Sequence, residues 1–155
     1  MKNLKQSLKK PLKGLPISAA ITILVIALVG FADASYLTLE HFRGVTPPCT
    51  LTTGCDTVLN SPFSVFFGIP VSLLGALFYL TVMIGAFSYI ESRNEMMIRF
   101  ALWFTIFGFL ASVWFVALQI FIIHSYCMYC LISAITSTTL FVVSMEFIKK
   151  YHETY

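Results

Sequence analysis

Apolar residues run along this chain in stretches far longer than a soluble helix or strand requires, and polar residues interrupt them at only a few places. The first stretch, Ile17 to Leu39, carries one side chain of the Asp, Glu, Lys and Arg set, Asp33. At 1.5 Å per residue it is long enough to cross a bilayer core about 30 Å thick. From Thr57 to Ile90 there is no Asp, Glu, Lys or Arg for 34 residues, about 51 Å if they formed one straight helix. Pro62 and Pro70 mark where the excess is absorbed. Residues 57–62 read as a short half-helix or turn and the second crossing runs from about Val65 to Ile90, with Pro70 in its first turns, where proline does least damage. Phe100 to Met145 is a third charge-free run, of 46 residues. It must fold back, and His124, Ser125 and Tyr126 are the polar punctuation in its middle. The pattern therefore predicts four crossings, at about 17–39, 65–90, 100–123 and 126–147. The fold class is an all-α membrane protein, a four-transmembrane-helix bundle with a loop and a short half-helix between helices one and two.

Composition agrees with the pattern. The 155 residues are 58% hydrophobic and 11% charged, against about 25% charged in an average soluble domain. A soluble domain of this size leaves about a third of its unfolded surface in water, and seven acids with ten bases do not cover that area. The domain plan is a basic tail at 1–14, one membrane domain at 15–148 and a short tail at 149–155. No internal repeat, low-complexity tract or appended soluble domain is evident, and no nucleic-acid partner is expected. The first apolar stretch is too long for the core of a cleaved signal peptide and lacks a small-residue cleavage site.

Charge placement sets the expected orientation, because cytoplasmic loops retain Lys and Arg. With both termini inside, nine of the ten bases are cytoplasmic: Lys2, Lys5, Lys9, Lys10 and Lys13, then Arg93 and Arg99, then Lys149 and Lys150. Only Arg43 falls outside. All four cysteines then lie on the outer side of a cell membrane, Cys49 and Cys55 in the first loop, Cys127 and Cys130 at the start of helix four. Outside the cytoplasm is where disulfides form and persist.

Cys127-Met-Tyr-Cys130 places two thiols at i and i+3, on one helical face. They lie in the first turns of a helix, whose dipole and unpaired N–H groups favour anions. The thiolate is the nucleophile of disulfide exchange, so the pair suits a redox centre. The bland reading is two small core residues. Cys49 and Cys55 lie in a loop rich in turn residues (Pro47, Pro48, Gly54), which suits either a mobile dithiol that carries electrons or a static loop-closing disulfide. A zinc site of all four cysteines is a further reading. It is disfavoured by the five residues between Cys49 and Cys55, where two to four are usual. Asp33 suits either proton release or interfacial solvation. His124, three residues before Cys127, is either a proton relay or an interfacial loop residue, and it is not counted as catalytic.

The stretch Cys49-Thr-Leu-Thr-Thr-Gly-Cys55-Asp-Thr-Val-Leu-Asn-Ser61, continued by Gly68-Ile-Pro70, together with the later Cys127-x-x-Cys130, resembles the vitamin K epoxide reductase family. The resemblance covers about residues 25–145. It implies a four-helix bundle around a quinone, ubiquinone or menaquinone, with Cys130 reacting with the quinone and Cys127 its partner. Cys55 would form a transient disulfide with Cys127, and Cys49 would exchange with an external thioredoxin-like protein, so that Cys49–Cys55 and Cys127–Cys130 are the two disulfide pairs. Ser61 matches the family serine near the quinone pocket, and Asp56 to Ser61 the half-helix over it. No metal is implied.

The implied activity is a thiol:quinone oxidoreductase that supports disulfide formation outside the cytoplasm. Animal members carry an Asn in helix two and a Tyr one turn past the Cys-x-x-Cys, where this chain has Val71 and Ala134. That substitution disfavours vitamin K epoxide as the substrate. Many bacterial members carry a fused thioredoxin-like domain. This sequence ends at Tyr155, so the partner is expected to be a separate protein. The rivals of another class are a zinc-binding or structural membrane protein and a small transporter. The transporter is weakened by the lack of charges inside helices two to four.

Overall fold

The computed structural model describes residues 16–93 and 95–153, the side chains at 95 and 150–153 excepted. The basic tail predicted at 1–14 lies outside the described residues, as do positions 154 and 155 of the closing tail.

Four long helices build the molecule: α1 (Ile17–Arg43), α3 (Val71–Ser92), α4 (Glu95–Leu118) and α5 (Met128–Glu153), with a five-residue helix α2 (Cys55–Leu59) between the first two. Each long helix is apolar enough to cross a bilayer, and the chain is a multi-pass membrane protein. α1 packs on α3 and α5, and α4 packs on the same two, so the four close into a ring. Small residues make that ring tight. Ala20, Ala27 and Ala34 of α1 are buried against Ala76, Val82 and Ala86 of α3. Between membrane helices, close backbone approach replaces the hydrophobic drive that water supplies to a soluble core. Gly30 extends this stripe, and a Cβ there would run into the ring of Tyr79.

The helix ends differ from the sequence expectation for local reasons. α1 continues one turn past Leu39 to Arg43 and stops at Gly44, which takes φ +68°. The Val45 N–H donates to the Glu40 carbonyl and the Gly44 N–H to that of His41, each at 3.1 Å, the paired bonds of a Schellman stop. The second crossing begins at Val71, not Val65. Pro70 has no N–H to give a helix and disfavours helical geometry at Ile69, so it precedes the helix as its cap rather than lying within its first turns. Residues 65–70 instead form a small hairpin, β1 (Val65–Phe66) against β2 (Ile69–Pro70), pairing Val65 with Pro70 and Phe66 with Ile69. Its two turn residues, Phe67 and Gly68, both have positive φ, the geometry of a tight primed turn.

The third crossing starts its helix at Glu95 and the fourth extends to Glu153, because hydropathy marks the length in lipid and not the point where hydrogen bonding ends. At the far end of α4 the chain widens into a π-helical turn, Gln119–Ile123, closed by His124 at φ +54°. α5 starts at Met128, two residues later than expected, which leaves Cys127 as the last residue of the connecting segment.

Candidate redox site

All four cysteines gather at one end of the bundle, in a shell of three segments. The segment 45–54 crosses the start of α5, where Tyr129 donates its hydroxyl to the Pro48 carbonyl at 3.2 Å and Thr50 lies 3.9 Å from the Met128 sulfur. Cys49 and Cys55 are joined as a disulfide, with Cα atoms 6.0 Å apart. The Thr52 hydroxyl lies between them, 3.4 Å from the Cys49 sulfur and 3.9 Å from that of Cys55. Cys49 is half-buried, whereas Cys55, the first residue of α2, is only 1% exposed.

Cys55 is buried because α2 lies directly over the segment that leads into α5. Cys55, Val58 and the fully buried Cys127 form one apolar cluster, flanked by Leu59, Ile123 and Cys130. Gly54 makes the approach possible. A Cβ at that position would stand 2.7 Å from the Tyr126 nitrogen and 2.8 Å from its carbonyl oxygen. Both are backbone atoms that cannot step aside.

Cys127, which is buried, and Cys130, which is half-buried, are free thiols. The Cys127 N–H donates to the side-chain oxygen of Gln119 at 3.0 Å, and the Ser125 N–H to the Gln119 carbonyl at 3.3 Å. Gln119 is 2% exposed and sits on the π turn, so that irregular turn aims a buried amide at the start of the dithiol. The Cys127 carbonyl in turn accepts the N–H of Leu131 at 3.0 Å, the first bond of the α5 ladder.

Cys130 lines a cavity of about 630 Å³ that opens inside the ring of helices, within the ~300–1,000 Å³ range of small-molecule sites. Its walls include Phe78, Phe104 and Trp114, with polar atoms contributed by Ser61, Gln119 and Ser133. Val71 and Ala134 line it as well, two apolar side chains where the resemblance to the animal proteins would put hydrogen-bonding ones. Ser61 stands on the wall, but its hydroxyl donates to the Val58 carbonyl at 2.7 Å. It can accept a hydrogen bond from a bound molecule, and must turn away from Val58 to donate one.

A second hydroxyl cluster lies deeper. The Tyr79 hydroxyl donates to the Ser133 carbonyl at 2.7 Å and lies 2.7 Å from the Thr136 hydroxyl, while Ser112 and Ser137 bridge α4 and α5. This set suits a flat, largely apolar molecule with a few polar oxygens, which is the chemistry of a quinone. Two of the four sulfurs are joined in the Cys49–Cys55 disulfide, so the four do not stand as a set of thiols. Among the described residues no three or more of His, Cys, Asp and Glu come together in a metal-holding group.

The structure thus brings Cys55 beside Cys127, puts Cys130 and Ser61 on one cavity, and leaves Cys49 nearer the surface. His124 is exposed, and its ring Nδ1 lies 3.2 Å from the nearby Ile122 carbonyl oxygen. Sequence reasoning missed Gln119, Thr52 and Tyr79. Gln119 carried a readable signal, being a polar side chain in an otherwise apolar run, eight residues before Cys127.

Residues 21–145 match the sequence profile of the vitamin K epoxide reductase family. Thiol-disulfide oxidoreductase LTO1 of Arabidopsis thaliana is 33% identical over 125 residues, which cover 76% of this chain and 33% of that protein. The chain therefore spans about a third of the length of the curated relative it matches.

Proposed function

The chain belongs to the vitamin K epoxide reductase family, and from that premise we propose that it is a membrane thiol:quinone oxidoreductase that draws electrons from a thioredoxin-like dithiol. The observation that carries the reading is the split placement of the dithiol. Cys127 is buried with Cys55 of the loop pair, while Cys130, one turn further on, faces the cavity. One cysteine is set to receive electrons and the other to pass them on.

The half-buried Cys49 is the sulfur within reach of a partner's thiolate. Attack there breaks the Cys49–Cys55 bond and releases Cys55 as thiolate. Cys55 then attacks the Cys127 sulfur of a Cys127–Cys130 disulfide, and the electron pair leaves on Cys130. The partner's second thiol displaces Cys49 from the mixed disulfide and the partner leaves oxidised; Cys49 then attacks Cys55, which restores the loop disulfide, breaks the Cys55–Cys127 bond and leaves Cys127 and Cys130 as a reduced pair. A bound quinone supplies an acceptor for two electrons and two protons. The residues of this chain keep the Cys130 sulfur on the cavity wall, exclude water with aromatic side chains, and offer Ser61 and Ser133 as polar contacts. Gln119 fixes the backbone of Cys127 while the sulfurs exchange partners.

The proposed placement has the termini in the cytoplasm and the cysteines on the outer face, following the distribution of Lys and Arg. The apolar Val71 and Ala134 on the cavity wall favour a quinone over an epoxide as the molecule reduced. The test is quinone absorbance after mixing purified protein, a reduced thioredoxin-like protein and ubiquinone or menaquinone. Wild type consumes quinone and Cys130→Ala does not. No consumption by wild type, or equal consumption by Cys130→Ala, refutes the proposal.

A further inference from the structure

Asp33 stands one turn below the dithiol and takes no part in the exchange just described. Its place follows from the helix register. The ring of Tyr36, three residues further along α1, lies 5.6 Å from the ring of Tyr129 on α5. Gly30, three residues the other way, abuts Tyr79, whose hydroxyl is bonded to the Ser133 carbonyl. α1 ends and α5 begins at the cysteine end, so the two run antiparallel, and Asp33 is level with Ser133, just past Cys130. One carboxylate oxygen of Asp33 is buried with no hydrogen-bond partner. Buried polar atoms are nearly always paired, and an ionisable group at membrane depth without a partner points to function.

The titratable groups at this level of the ring are Tyr79 of α3, against which Gly30 abuts, and Cys127, Tyr129 and Cys130 at the start of α5, where Tyr129 meets Tyr36. None of these neighbours is basic. A thiolate formed here beside an ionised Asp33 would place two negative charges in one poorly solvated site, which neither Coulomb energy nor solvation favours.

We propose that Asp33 is a positioning residue that balances the charge of the dithiol, so that Asp33 and the two sulfurs hold at most one negative charge between them. When Cys130 leaves the Cys127–Cys130 disulfide as thiolate, one S–S bond breaks, the Cys55–Cys127 bond forms, and the proton carried by the Asp33 carboxyl passes to Cys130. When Cys130 next deprotonates, the carboxylate takes that proton back. No electron enters or leaves in either step. The inference deepens the thiol:quinone reading and rests on it for its purpose, but its test needs neither quinone nor partner.

The full chain, reduced in detergent, is labelled with N-ethylmaleimide from about pH 5 to 9, a range spanning ordinary carboxyl and thiol behaviour. Modification of Cys130 is followed by peptide mass spectrometry. Asp33→Asn labels about ten-fold faster at neutral pH, the effect of roughly one unit in thiolate equilibrium, whereas Asp33→Glu follows wild type. Coincident profiles for Asp33→Asn and wild type overturn the proposal. So does a displacement by Asp33→Glu as large as that by Asp33→Asn, because volume and not charge would then be acting. Asp33→Ser removes the same charge if Asp33→Asn does not assemble, and failure of both to assemble while Asp33→Glu does overturns it as a structural requirement. Quinone reduction measured on the same preparation separates the two claims. Displaced labelling without quinone turnover refutes the thiol:quinone reading alone, and turnover with unmoved labelling refutes the role of Asp33 alone.

Discussion

Gly54→Ala places one methyl group between the redox loop and the backbone that leads into α5. Its Cβ would stand 2.7 Å from the Tyr126 nitrogen, where ordinary contact begins at 3.4 Å, so the loop must retreat by about 0.7 Å (3.4 − 2.7). The obstacle is backbone one residue from Cys127, and its movement would carry the dithiol with it. Overpacking of this kind costs about 1–3 kcal/mol. That is small for a bundle whose four-helix core lies elsewhere, and the protein should still assemble. Cys55 is the neighbour of Gly54, however, and must meet the Cys127 sulfur in line for exchange. Misplacement of reacting groups by about 1 Å costs about 10²-fold in rate, so transfer from loop to dithiol should fall by about 10–100-fold. The assay is quinone reduction driven either by a thioredoxin-like protein, which enters through Cys49, or by dithiothreitol, which is small enough to reach Cys130 through the cavity. The account predicts slow turnover with the protein donor and turnover near wild type with dithiothreitol. Wild-type rates with the protein donor would refute the reasoning, because the loop would then not need its close seat on Tyr126.

Three further substitutions probe the supports of the site. Gln119→Leu leaves the buried Cys127 N–H without its acceptor, and thermal unfolding in detergent should show a loss of about 1–3 kcal/mol, with slower quinone reduction alongside. Tyr79→Phe removes the hydroxyl that ties α3 to Ser133 and Thr136 of α5, at a cost of about 0.5–1.5 kcal/mol by the same measurement. Phe67→Asn relieves a bulky residue held at φ +50° on an exposed hairpin tip. Left-handed geometry in a residue other than glycine costs about 1–3 kcal/mol, and Asn tolerates it better, so the unfolding midpoint should rise.

The crossings were legible because a bilayer demands a fixed apolar length, and runs such as Phe100 to Met145 are too long to be anything but two helices. Local breaks were read less well. Pro70 marks a break in the run, but the hairpin at residues 65–70 is not legible, since Phe67-Gly68 lacks the Asn-Gly or Asp-Gly usual in a two-residue turn. Gly44, the stop of α1, falls outside the hydrophobic stretch and so escaped a reading based on hydropathy. In the site, the four cysteines and Ser61 stood out by spacing and by family resemblance. The contact of Cys55 with Cys127, and the hold of Gln119 on Cys127, depend on how α2 and the π turn fold over one another. Neither follows from the period of apolar residues.

The central claim is that Cys55 hands electrons to Cys127, and a chain carrying Cys49→Ser with Cys130→Ser tests it most directly, because Cys55 and Cys127 are then the only thiols left. Digested without reductant under mild oxidation, it should yield a single disulfide-linked pair of peptides containing residues 55 and 127. Free alkylated thiols at both positions in a correctly assembled protein would contradict the relay.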